Sequence, residues 1–121
     1  MISEPNSTMD ERELANLSEL IEDFDEETAR ELALAFLEDT ENAFERLEAA
    51  LGAGDAEAVR SCAHMIKGCS RVINAHPLEE RASALEDCAR SNNWEGIQSE
   101  VAGFKSVYDR TRSLIVEYTS E

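Results

Sequence analysis

Apolar residues recur along this chain at steps of three and four, the spacing that lines one face of an α-helix. Leu14, Leu17, Leu20, Ile21 and Phe24 form a short first pattern that stops in the acidic run from Asp23 to Glu27. It predicts a short helix packed across the end of a bundle. A second helix, about residues 26–51, carries Leu32, Phe36, Ala43, Leu47 and Leu51 on one stripe, with Leu37 and Phe44 beside it, and ends at Gly52-Ala53-Gly54. Asp55 is a good N-cap for a third helix reaching about Asn74, whose side chain tolerates the left-handed conformation at a helix end. Pro77 enforces the break there and fits the first turn of a fourth helix, about residues 77–91, with Leu78, Ala82, Leu85 and Ala89 on one face. Ser91-Asn92-Asn93 supply a turn and the next cap. The fifth helix, from Trp94 to about Tyr118, repeats Ile97, Val101, Phe104, Tyr108, Thr111, Ile115 and Tyr118 in alternating steps of four and three, a bundle-seam pattern.

Connections this short make successive helices antiparallel neighbours, so helices two to five predict an all-α, up-down-up-down four-helix bundle with an extra short N-terminal helix. Residues 1–9 have no periodicity and read as a flexible tail, leaving one helical domain over residues 10–121. Length agrees, because 121 residues support one core and are too few for two ordinary domains. The tail and the complete bundle together lead to the expectation of a free-standing protein. Abundant Ala, Leu, Glu and Arg, with only 5 Gly and 2 Pro, favour helix throughout.

Charge narrows the function. With 27 acidic against 11 basic residues, the net charge of -16 disfavours nucleic acid and anionic membranes at long range. The N-terminus is polar and acidic, without the features of an export signal, and no apolar run reaches the roughly 20 residues of a membrane span. A cytoplasmic monomer is expected. Three cysteines, none in C-x-x-C spacing, argue against a disulfide framework or a zinc site, and Cys62 and Cys69 read as small core residues. A di-metal carboxylate bundle would need E-x-x-H on two helices, whereas Ser61 precedes His64 and Ile73 precedes His76 by three residues. No resident metal or cofactor is expected, and no Gly-rich phosphate loop suggests ATP-dependent kinase activity.

One window departs from the acidic background. From Ala58 to Leu78 there is no Asp or Glu, while Arg60, Lys67 and Arg71 are present around His64. On a helical projection Val59, Cys62, Ile66, Cys69 and Ile73 form the apolar face, and His64 points away from it together with Arg60, Lys67, Gly68 and Arg71. His76, just before Pro77, reads as a capping or surface residue. Glycine inside a helix costs about 1 kcal/mol relative to alanine, so Gly68 asks for a reason. Close packing is one; leaving the turn above His64 bare for a bulky tetrahedral group and its carrier is the other, favoured because Gly68 lies on the polar face. Lys67 can reach phosphate oxygens as a flexible point charge, with Arg60 and Arg71 as secondary candidates. A phosphoryl group adds about -1.5 to -2 charges, which an acidic protein must meet with local cations.

H-x-x-K-G followed by Cys69-Ser70, on the third helix of an acidic bundle and with Ala75, Leu78 and Leu85-Glu86 downstream, resembles the histidine phosphotransfer (HPt) domains of multistep two-component phosphorelays. The resemblance runs from about Leu17 to Tyr118. It implies that His64 is phosphorylated, that Lys67 steadies the phosphoryl group and that Gly68 clears space. Ser70, in the small-residue pair that follows, is expected to hydrogen-bond near the site. The family often continues with Asn and Leu-Gly where this chain has Val72-Ile73-Asn74. The implied role is a reversible carrier between a sensor hybrid histidine kinase and response-regulator receiver domains, with Mg2+ held by the receiver. Met65, Val72, Leu34 and Leu37 are the expected apolar docking contacts. The competing expectation is a helical adaptor that binds a receiver or kinase without being phosphorylated, which explains the bundle but not His64, Lys67 and Gly68 together.

Overall fold

The computed structural model describes residues 24–120, which fold into four α-helices: α1 (Glu26–Ala53), α2 (Ala56–Val72), α3 (His76–Arg90) and α4 (Trp94–Thr119). These are the second to fifth helices expected from the sequence. The expected short first helix and the 1–9 tail lie outside the described residues. Each helix packs on its successor and α4 returns to α1, closing an all-α four-helix bundle.

Local chemistry sets the boundaries. The Asp25 carboxylate accepts the Thr28 amide at 2.7 Å and starts α1, with Glu26 and Glu27 in the first turn where the helix dipole favours them. Gly54 ends α1 at φ +67°, donating its amide back to the last carbonyls. Asp55 then caps α2 by accepting the Ala58 amide at 3.1 Å. Asn74 takes φ +60° in the turn after α2, as its side chain permits, and Asn93 caps α4 through the Gly96 amide at 3.0 Å. Only α3 lacks a side-chain cap: Ala75 occupies the position, and Pro77 supplies a preset first turn instead.

Two apolar faces differ from the sequence pattern. On α1 the buried positions are Ala29, Ala33, Phe36, Thr40, Ala43, Leu47 and Ala50, while Leu32, Leu37, Phe44 and Leu51 are half-buried along its edges. Five of these seven buried positions are Ala or Thr, with Phe36 and Leu47 as the large ones, and α4 adds Phe104 and Tyr108 to the core. Tyr108 stacks on Phe44 with ring centroids 4.5 Å apart and lies 3.4 Å from the Thr40 hydroxyl. On α2 the buried set is Val59, Cys62, Ala63, Ile66 and Ser70, so the inward face is turned toward Ala63 and Ser70, and Cys69 is left half-buried. Because α2 packs on both α1 and α3, its buried arc extends toward the side where α3 lies. The cysteines are free, and burial pushes the Cys62 and Cys69 thiols up, away from reactive thiolate. Among the described residues no helix is long and apolar enough to cross a membrane.

Candidate functional site

The apolar faces of α2 and α3 bring one carboxylate into contact with the outward histidine. Glu86, one turn before the end of α3, is 2% exposed, and Leu85 and Ala89 beside it are core residues. Its Oε2 lies 2.9 Å from His64 Nδ1 and 3.1 Å from an Arg90 guanidinium nitrogen. Its Oε1 faces the Lys67 ammonium at 2.7 Å, an ion pair rather than an aligned hydrogen bond. Three basic side chains thus surround one buried carboxylate. The imidazole itself remains 63% exposed.

Burial alone would push the Glu86 carboxyl up, but Lys67 and His64 outweigh it and hold the group below its ordinary value of 4.5. Glu86 is therefore ionised at neutral pH and can only accept hydrogen bonds. The proton it shares with His64 must then sit on Nδ1, which leaves the lone pair of the neutral ring on Nε2. One carboxylate fixes the tautomer and the ring orientation together, as carboxylates do for catalytic and metal-binding imidazoles.

The same shift makes a stability prediction. A carboxyl whose pKa is lower in the folded than in the unfolded chain stabilises the fold fully above the unfolded value of about 4.5 and ceases to do so as pH falls through the folded value. Wild type should therefore lead Glu86→Gln in urea midpoint at neutral pH, and the lead should shrink on acidification to about pH 3. A lead independent of pH would show that the carboxylate charge contributes nothing.

The other residues singled out in the acid-free window divide clearly. Gly68 lies on the exposed side of α2, and a Cβ built there would meet nothing within 4 Å, so close packing is not its reason. Arg60 is held by Glu57 through two nitrogens at 2.6 and 3.2 Å, and Arg71 by Glu79 at 2.8 Å. Both guanidinium groups are engaged with carboxylates other than Glu86, and in turn hold Glu57 and Glu79 below the usual carboxylate range. Ser70 is buried and donates to the Ile66 carbonyl at 2.7 Å, so the hydrogen bond expected near the imidazole is not made. His76 is exposed, with Nδ1 3.5 Å from Glu79.

Glu86 is the residue that site reasoning from the sequence passed over. Its signal was positional: it stands four residues after Ala82 and three before Ala89, on the edge of the apolar stripe of α3, where an unpaired acid would be costly. The partners that make it tolerable lie 19 and 22 residues earlier, on another helix, together with Arg90 one turn on.

On the outward arc of α2, His64 separates two regions. Lys67 leans toward α3 and Glu86, whereas Met65, Gly68, Cys69 and Val72 lie on the side toward α1. Met65 is 45% and Val72 53% exposed, and Leu34 on α1 is 46% exposed, while Leu37 is half-buried against the core. Chemistry and apolar surface thus flank one imidazole.

A family model described as the Hpt domain matches residues 31–114, a span that contains all of these residues. Among solved structures, the crystal structure of histidine-containing phosphotransfer protein B (HptB) from Pseudomonas aeruginosa PAO1 is similar. It shows 31% sequence identity and a TM-score of 0.73, over 98% of this chain and 97% of that one. No curated protein sequence matches. With the family pattern covering most of the bundle, the chain belongs to the Hpt domain family.

Proposed function

We propose that this protein is a phosphorelay intermediary in which His64 Nε2 carries the phosphoryl group. The observation that supports it most is the His64–Glu86–Lys67 cluster on an open face, in a chain of this family. The Nε2 lone pair attacks the phosphorus of a receiver's aspartyl phosphate. The P–O bond breaks toward the aspartate carboxylate, and an N–P bond forms. The Nδ1 proton stays in its hydrogen bond to Glu86, whose negative charge offsets the positive charge the ring acquires. Lys67 stands one turn away to meet the phosphoryl oxygens. The reverse sequence delivers the group to another receiver aspartate.

In this reading the protein is a carrier and not a kinase. It receives phosphoryl from a hybrid kinase or its receiver, gives it to a response regulator, and acts as a cytoplasmic monomer. Magnesium belongs to the receiver, where it serves the aspartyl phosphate; the carrier contributes positioning and charge. A binding-only adaptor would have no use for a buried carboxylate aimed at an exposed imidazole.

Incubation with a receiver phosphorylated on aspartate should move label onto this chain in an acid-labile, alkali-stable form, as a phosphoramidate requires. Absence of such label with every receiver tested would overturn the reading. Glu86→Gln keeps the shape but removes the charge, so acceptance should slow by on the order of 10- to 100-fold, the usual cost of losing a carboxylate that orients an imidazole. Single-turnover labelling checks this, and an unchanged rate would remove Glu86 from the mechanism.

A further inference from the structure

A phosphoryl group on His64 calls for more positive charge than Lys67 alone can give. It brings about -1.5 to -2 charges, and the Lys67 ammonium is already paired with Glu86, which is 2% exposed. Drawing Lys67 fully onto the phosphoryl oxygens would leave a buried carboxylate short of a cation, at a high cost. A second cation that is less firmly held would meet the charge without that loss.

Three guanidinium groups lie around the site, and their present partners rank them. Arg90 bridges Glu86 and Asp87 on α3, at 3.1 and 2.9 Å, so it too supports the buried carboxylate. Arg71 stands seven residues from His64, about 10 Å along α2, and ties α2 to α3 through Glu79, which is 22% exposed. Arg60 differs on both counts. It is one turn before His64 and about 20° from Lys67 around the helix axis, so the two cations flank the ring from either end along the α3 side. Its partner Glu57 belongs to the same helix and is 75% exposed, so that carboxylate can return to water. Glu57 also lies in the first turn of α2, where the helix dipole favours it without Arg60. Side chains on a helix lean toward its N-terminus, which carries the imidazole over the turn that begins at Arg60. Arg60 already feels the charge of Glu86 in addition to that of Glu57.

We propose that Arg60 is a second phosphoryl-binding residue, and that Glu57 is its resting partner, displaced when His64 is phosphorylated. The inference rests on the relay reading for the phosphoryl group and adds an exchange of partners to it. Arg60 leaves one exposed carboxylate for an anion of higher charge whose oxygens match its planar fork. Lys67 stays beside Glu86 and meets the phosphoryl oxygens from the other end.

Phosphorus NMR of the protein loaded with the small donor phosphoramidate reads the phosphoryl group directly, since a nearby cation favours its dianion and lowers its titration midpoint. Arg60→Gln should raise that midpoint by about one unit, Arg60→Lys should keep most of the wild-type value, and Arg71→Gln should leave it unchanged. Glu57→Gln, at an exposed position, should fold as wild type does and lower the midpoint by freeing Arg60. Added to Arg60→Gln, the same change should have far less effect, as it acts through the arginine. A wild-type midpoint in Arg60→Gln or in Glu57→Gln, or an equal rise in Arg71→Gln, would overturn the proposal. So would a loaded wild type without an N–P resonance, or a Glu57→Gln effect of the same size with and without Arg60. The expected midpoints in a phosphohistidine that no phosphorylated receiver can form would keep Arg60 at the phosphoryl group and reject the relay.

Discussion

Replacing His64 by glutamine is expected to abolish phosphoryl acceptance while leaving the fold and its stability close to wild type. The side chain is 63% exposed and belongs to no part of the core, so little burial is lost. Glutamine also retains an amide donor that can face Glu86, and Lys67 and Arg90 still hold that carboxylate. Surface substitutions of this kind usually change stability by within about 0.5 kcal/mol. What disappears is the only nucleophilic nitrogen of the cluster, since an amide has no lone pair of comparable reactivity. Thermal unfolding and receiver-dependent labelling measured on one preparation check both halves. Residual label would point to His76, but that ring stands 3.5 Å from a half-exposed Glu79 rather than against a buried carboxylate. Its tautomer is held less firmly, and it is expected to stay unlabelled.

The elements legible in the sequence are those decided by short-range chemistry. Asp55, Asn93 and Gly54 act as caps at the expected turns, and Asn74 turns left-handed where the third helix was expected to end, because these preferences depend on a few neighbouring backbone groups. The seam of α1 was less legible. A hydrophobic pattern weights large residues, so it chose Leu32 and Leu51, whereas α1 buries Ala29, Ala33 and Ala50 and leaves those leucines half-buried. At the site, His64, Lys67 and Gly68 could be placed on one outward arc from helical geometry alone. Glu57, three residues before Arg60 on the same helix, lay within reach of that geometry, but Glu79 and Glu86 sit on the next helix, and helix packing decides whether Lys67 meets a phosphate first or Glu86 first. A basic island in the linear sequence becomes, in the bundle, a set of paired cations around one free ring nitrogen. Glu86 converts the histidine from an exposed imidazole into an oriented one.

Gly68 gives a prediction in which stability and function move in opposite directions. Nothing lies within 4 Å of a Cβ added there, and its φ is not in the left-handed region, so alanine fits the helix without strain. Gly68→Ala should therefore stabilise the protein by about 1 kcal/mol through helix propensity alone, raising the melting temperature by several degrees. A longer side chain, as in Gly68→Gln, should keep most of that gain and slow transfer from a phosphorylated receiver by on the order of 100-fold, because a misplacement of about 1 Å at the reacting centre already costs that much. The obstruction is to the partner and not to the ring, so phosphoramidate, which is small, should label Gly68→Gln at close to the wild-type rate. If both donors were slowed equally, the side chain would be covering the imidazole itself. If neither were slowed, the bare turn would have no function, and the helix would be carrying a destabilising glycine for nothing. Only a large receiver defect beside an intact small-donor reaction assigns the open space above His64 to an incoming domain.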